Sequence, residues 1–218
     1  MSNLSAVPEA IDFLAEIRTR NLSLTDEQAA QAARFAHLLH RENETQNLTR
    51  ILGVSEFIEG HLLDVMELFR VPTLGKRVLD IGSGSGVPGL LAASIDLDPS
   101  RVWFLSESES HKAEYLERAK QELQLARVST FSKRAEAVIS AVRPDTVIAR
   151  AVGTVDKIAS WIFECSTWNN LILFKSRGWE EEWAEAQKTR FGKKLTVSHT
   201  HEYSAGEKYR VLVSLKRK

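Results

Sequence analysis

Apolar positions fall into two regimes along the chain, which change over near residue 75. Before that point they recur at three- and four-residue spacing. Ile11, Leu14 and Ile17 follow Pro8; then come Ala29, Ala32, Ala33, Ala36 and Leu39; then Ile58, Leu62, Val65 and Phe69. Each set lies on one stripe of a helix. Pro8 suits a first helical turn, and Thr25 with Gln28 forms a capping box for the second helix. After "TLGK" the pattern shortens into "RVLDI", "RVWFL", "RVSTFS", "DTVIA" and "NLILFK", separated by amphipathic helical segments. Parallel strands covered by helices on both faces read this way. "KLTVSHTHEY" and "EKYRVLVSLK" alternate instead, with no helix between them, and predict an antiparallel edge. The expected architecture is α/β: residues 1–74 form a helical extension, and residues 75–218 form a domain around a mostly parallel seven-stranded sheet.

Composition narrows the class. With 218 residues, the chain accommodates one α/β domain and an appendage. It is 43% hydrophobic and 27% charged, which argues against disordered and fibrous classes. Cys165 is the one cysteine, so a disulfide framework and a cysteine-rich zinc site are both excluded. It reads as a core residue within a helix, between Phe163 and Trp168. No apolar run approaches the roughly 20 residues of a membrane span. "MSNLSAVPEAIDF" lacks the basic flank and apolar core of a secretory leader, so a cytoplasmic location is expected. The formal net charge is zero, so any surface for a polyanion must be a local patch.

The chemistry concentrates in "RVLDIGSGSGVPG", residues 77–89. In such sheets, ligands sit beyond the carboxyl ends of the strands, where strand order reverses. Gly82, Gly84 and Gly86 would expose bare backbone there, and a helix starting near Val87-Pro88 would offer free N–H groups. The dinucleotide pattern G-x-G-x-x-G fails, because Val87 stands where a small residue is needed. A phosphate-binding loop is excluded by the absence of Gly-Lys-Ser/Thr. A carboxylate at Asp80 would oppose a diphosphate but welcome an ammonium or sulfonium, the groups of S-adenosylmethionine. The second strand ends in "FLSE", and Glu107 is placed to accept ribose hydroxyls.

These residues resemble the class I S-adenosylmethionine-dependent methyltransferases. More narrowly, they resemble the bacterial 16S rRNA methyltransferase G family, also called glucose-inhibited division protein B. The resemblance rests on "NLTRI" at 47–51, "HLLD" at 61–64, "LDIGSGSGVPG" at 79–89 and "ARAVG" at 149–153. It implies a Rossmann-like fold and methylation of guanine N7 at one nucleotide of small-subunit ribosomal RNA. It further implies cofactor contacts from Gly82 and Val87, a ribose contact from Glu107, and adenine neighbours Ala135 and Glu136. Arg150 would face the reaction space and orient the substrate, and Lys175 would point towards the site. Glu107 stands where the family usually has an aspartate, His111-Lys112 replaces a Lys-Arg pair, and Ser176 replaces a glycine.

Guanine N7 is an unprotonated lone pair, so no general base is expected and held geometry can supply roughly 7–11 kcal/mol. "IARAVG" stands where enzymes acting on exocyclic amines commonly carry Asn/Asp-Pro-Pro-aromatic. His61 and Asp64 share a helix face; they read as a structural pair beside the site, with no third ligand for a metal. Asn47 and Thr49 read as caps, and the five tryptophans as packing. Candidate RNA contacts are Arg50, His61, Lys175, Lys208, Arg210, the pairs at 111–112 and 133–134, and the tail "SLKRK" at 214–218. The expected partner is 16S rRNA or the small ribosomal subunit, and a monomer is expected. A small-molecule methyltransferase, a nicotinamide-dependent oxidoreductase and a non-catalytic RNA module are the competing readings.

Overall fold

The computed structural model describes residues 7–218. One seven-stranded sheet runs through the molecule in the order β3-β2-β1-β4-β5-β7-β6. Its strands are β1 (Arg77–Ile81), β2 (Val102–Glu107), β3 (Val128–Ser132), β4 (Thr146–Arg150), β5 (Asn170–Lys175), β6 (Leu195–Ala205) and β7 (Lys208–Arg217). β1 to β5 pair in parallel, while β7 runs antiparallel to both β5 and β6. The expected architecture is therefore present, down to the antiparallel strand near the C-terminus. The chain winds from β1 outwards to β3, returns, and continues from β4, so strand order reverses between β1 and β4.

The strands are continuous apolar runs because both faces are covered. Val78, Trp103, Leu105, Ile148 and Ile172 pack on one side, in a core shared with the N-terminal helices and with α5 (Gly89–Ile95) and α6 (Ser110–Glu122). Leu79, Ile81, Val147, Ala149, Leu171 and Leu173 pack on the other. There they meet α7 (Ala135–Val142) and α8 (Val155–Ile162), and α9 (Trp179–Ala186) closes that layer near the end of β5.

The extension comprises α1 (Ala10–Thr19), α2 (Asp26–Gln46) and a broken third helix. The capping box predicted at Thr25 and Gln28 forms. Ala29, Ala32, Ala33, Ala36 and Leu39 are all buried. The stripe predicted for α1 is rotated: Ile11 is 66% exposed, and Phe13 with Ile17 faces inwards. Phe13 packs edge-on to His40 and Phe57, and that aromatic cluster selects the face. The third helix starts as α3 (Val54–Phe57), widens into a π-helical turn over Ile58–Leu62, and resumes as α4 (Leu63–Leu68).

Cys165 is buried as expected but lies beyond the end of α8, not within a helix. Its thiol donates towards the Ile139 carbonyl at 3.7 Å. The basic tail is also placed differently. Lys216 and Arg217 belong to β7, opposite Thr196 and Leu195. Since Lys175 pairs with Val211 and Leu171 with Leu215, the tail sits at the far end of the sheet from the strand mouths, and Lys208 and Arg210 are not its neighbours.

Phe35 is fully buried where α2, α5 and α6 meet beneath the glycine loop. Phe35→Ala should cost about 3–5 kcal/mol in urea denaturation; an unchanged midpoint would contradict this account of how the extension is attached.

Candidate active site

The stretch between β1 and α5 turns three times through left-handed backbone, with φ of +66° at Gly82, +51° at Gly84 and +84° at Gly86. At Gly82 a Cβ would lie 2.4 Å from a Val152 methyl, so the loop and the end of β4 are in contact through bare backbone. A Cβ at Gly84 would meet nothing closer than 3.8 Å. This glycine opens onto a cavity of about 450 Å³ beyond the carboxyl ends of β1, β2 and β4. Gly82, Glu107, Ala135, Glu136, Val152 and Trp161 are among its wall residues, with Lys112, Lys133 and Arg134 also contributing. Of the residues expected around the cofactor, Gly82, Gly84, Glu107, Ala135 and Glu136 are thus brought together.

Two carboxylates hold the loop in different ways. Glu107 accepts the Gly84 N–H on Oε2 and the Glu109 N–H on Oε1, both at 2.9 Å. A carboxylate offers about four acceptor sites, so the group keeps capacity for two hydroxyls. Asp80 turns away from the cavity. It is fully buried, accepts the Gly89 N–H at 3.0 Å on Oδ2, and its Oδ1 has no partner. Burial, chiefly, pushes it up to about 7. A Cβ at Gly89 would stand 2.5 Å from Asp80 Oδ2, so this glycine permits the contact. The expected charge selection at the cavity wall therefore passes from Asp80 to Glu107, and Asp80 clamps the base of the loop. Val87 is also turned inwards, 5% exposed in the core, and Gly86 faces Phe35 and Leu116.

Arg150 ends β4 but does not reach into this cavity. Its Nη1 donates to the Gly60 carbonyl at 2.8 Å and to Asp64 Oδ2 at 3.0 Å, and its Nη2 lies 3.0 Å from His61 Nδ1. The same Nδ1 lies 2.7 Å from the Gly60 carbonyl, and Nε2 lies 3.3 Å from Thr49 Oγ1, so both ring nitrogens face polar groups. Asp64 Oδ1 accepts the Tyr203 hydroxyl at 2.7 Å. Three stretches singled out in the sequence ("NLTRI", "HLLD" and "ARAVG") thus meet in one network. His61 and Asp64 do form a structural pair, but through Arg150. At 3% exposure His61 is not available to touch RNA, which corrects that expectation.

A second cavity, of about 290 Å³, adjoins the first across Ala151. Arg150, Phe174, Lys175, Arg177, Trp179 and Arg210 contribute to its wall. Lys175 reaches it as expected, already bonded to both oxygens of Glu182 at 2.7 and 2.9 Å. Ala151 carries a φ of +59°, a strained conformation of about 1–3 kcal/mol for a non-glycine residue, between the two cavities. Nothing in its sequence context signals this. Asn47 caps the C-terminal end of α2 and Thr49 bonds the Ile51 N–H, as read. Arg50 and Lys208 line a separate open cleft between the 47–53 segment and the β6–β7 turn. No group of three potential metal ligands is found among the described residues.

Sheet order and the cavity at the strand mouths together define the Rossmann-like fold of the class I methyltransferases. The fold matches "MtNAS in complex with MTA and tNA" (TM-score 0.57, 14% identity, 94% of this chain and 75% of that one). It also matches a SAM-dependent methyltransferase from Aquifex aeolicus (TM-score 0.55, 12% identity, 74% and 93%). The model of the rRNA small subunit methyltransferase G family matches residues 28–212, and the chain belongs to that family. Relatives bearing that name include the proteins of Rhodopirellula baltica (32% identity, 81% of this chain, 75% of the relative) and Salmonella agona (32%, 64% and 66%). The chain is accordingly an S-adenosylmethionine-dependent methyltransferase. The cavity fits that cofactor on its own terms: its size lies in the usual ligand range, Gly84 leaves it open, and Glu107 has acceptor sites to spare.

The network has testable electrostatics. Burial first, and Arg150 second, push His61 down to about 3. The unfolded chain takes up that proton near 6.5, so the fold should lose stability as pH falls from about 6.5 towards 3. In NMR the His61 ring should stay neutral from pH 8 to 5; a midpoint near 6.5 would contradict its burial. Asp80 has the opposite sign: its contribution is complete below the unfolded value and is lost as pH rises through about 7. Asp80→Asn should flatten that part of the stability profile. Asp64→Ala should cost about 3–5 kcal/mol in denaturation, because a charge and a hydroxyl lose their partner.

Proposed function

We propose that this enzyme transfers a methyl group from S-adenosylmethionine to N7 of one guanosine in small-subunit ribosomal RNA. The observation that carries the reading is the make-up of the β4 mouth. Its side chains are Arg150, held by Asp64, and the small residues Ala151, Val152 and Gly153, in a chain whose family is named for small-subunit rRNA. None of these four can take up a proton near neutral pH. An exocyclic amine must lose one, whereas guanine N7 has none to lose.

When bound, S-adenosylmethionine supplies an electrophilic methyl group. The chain's part is to bind, orient and exclude water. Gly82 and Gly84 give the cofactor bare backbone, Glu107 takes ribose hydroxyls, and Ala135 and Glu136 flank the adenine. The second cavity receives the target base, with its cations, Lys175 and Arg210 foremost, facing guanine O6 or neighbouring phosphate. Arg150 serves as a positioning residue: three of its five N–H groups are committed to the extension. Of the helical extension expected over 1–74, the described residues 7–74 act as a support packed on the cofactor-binding unit of 75–218. The substrate is the rRNA itself or the small subunit, met by a monomer in the cytoplasm. No helix of the described residues is long and apolar enough to cross a membrane.

Labelled S-adenosylmethionine incubated with small subunits lacking the modification should mark the rRNA, and chemical cleavage at alkylated guanine should map the label to one nucleotide. Label on a pyrimidine or an exocyclic amine would overturn the N7 assignment. Cys165→Ala should keep full activity, because the buried thiol lies outside both cavities; complete loss would point to a covalent adduct.

A further inference from the structure

The far end of the sheet carries a basic platform that the reaction does not use. There the 3₁₀ turn Gly192–Lys194 leads into β6, and β7 ends beside it. Lys218 donates its backbone N–H to the Lys194 carbonyl at 3.0 Å and its Nζ to the Lys193 carbonyl at 2.7 Å, tying the two basic stretches "GKK" and "KRK" together. Lys193, Lys194, Lys216 and Lys218 are all exposed, as is Arg190 just before the turn. Among the described residues, none of these five forms an ion pair; nearby, Lys188 is paired with Glu185.

The platform is built, not a loose tail. Arg217 stacks over Phe163 and Trp168 at 4.4 and 4.5 Å, and donates to the Phe163 carbonyl at 2.8 Å. The Lys194 ammonium lies 5.3 Å from the centre of the Phe163 ring. In a chain of zero net charge, such a concentration of unpaired cations is a strong local field. From Val211, which pairs with Lys175 at the mouth, to Arg217 is six residues of strand, about 20 Å.

We propose that this platform binds the phosphate backbone of the same rRNA, at a helix about 20 Å from the methylated nucleotide. The inference rests on the proposed rRNA substrate and adds a second contact, so the enzyme grips its RNA at both ends of the sheet. Phosphates are the partner because the platform presents several ammonium groups without ion-pair partners, which suits a run of regularly spaced anions.

The test is the triple variant Lys193→Gln, Lys216→Gln and Lys218→Gln, which leaves Lys194 on its ring and touches neither cavity. Its thermal midpoint and its S-adenosylmethionine affinity should match wild type. Binding to small-subunit rRNA, measured by filter retention, should weaken about tenfold or more. The slope of log affinity against log salt should shrink by about 2–3, one unit or slightly less per lost phosphate contact. Methyl transfer should show a raised KM with unchanged kcat. Unchanged rRNA affinity and salt slope would overturn the proposal while leaving the rRNA reading intact. Weakened binding in the variant, with no methyl transfer by wild type, would sink the activity reading alone. Platform-dependent binding to vesicles of anionic phospholipid, without any to rRNA, would also overturn it.

Discussion

The contact between Arg150 and Asp64 is what the rest of this structure depends on. It joins the last residue of β4 to the helix that ends the N-terminal extension at 3.0 Å, with the carboxylate almost out of water. A carboxylate this buried is tolerable only when its acceptor positions are filled. Arg150 fills one oxygen and the Tyr203 hydroxyl of β6 fills the other. Three segments separated by up to 139 residues are thereby tied at one point beside the mouth. The π-helical turn just before Asp64 delivers Gly60 and His61 to the same guanidinium, which a regular helix would present at a different angle.

The glycine loop is held from below by analogous means. Asp80 accepts Gly89 at the start of α5, while Glu107 accepts Gly84 at the turn's outer rim. The two carboxylates divide the work by depth. Asp80 is fully buried with one backbone donor, so its charge is costly and its role is structural. Glu107 reaches the cavity, and its charge is available to a ligand. Phe35 of α2 packs against the underside of the same loop. The extension therefore supports the cofactor side as well as the β4 side, and the two cavities meet at the strained backbone of Ala151.

Much of this was legible in the chain. The runs "RVLDI" and "NLILFK" coincide with β1 and β5 because a strand covered on both faces must be apolar throughout. The capping box at Thr25 appears because it satisfies donors within one turn. Gly82, Gly84 and Glu107 could be placed at the mouth because topology alone puts strand ends there. The failures share a cause. The sequence puts Asp80 at the ligand site, yet at a strand end one rotamer decides between cavity and core. Ile11 and Phe13 compete for one helix face, and only the aromatic rings of His40 and Phe57 choose between them. Cys165 sits beyond α8 because Trp168 and Arg217 hold the segment after it.

Local pattern thus determined the strands, their order of appearance, the helical extension and the glycine mouth, since each follows from burial or backbone freedom within a few residues. Tertiary structure alone decided where Arg150 points, that His61 is sealed from solvent, and that Lys218 is tied to Lys193 and Lys194 far from the site. Those outcomes depend on which surfaces meet across the fold, and no periodicity along the chain encodes such meetings.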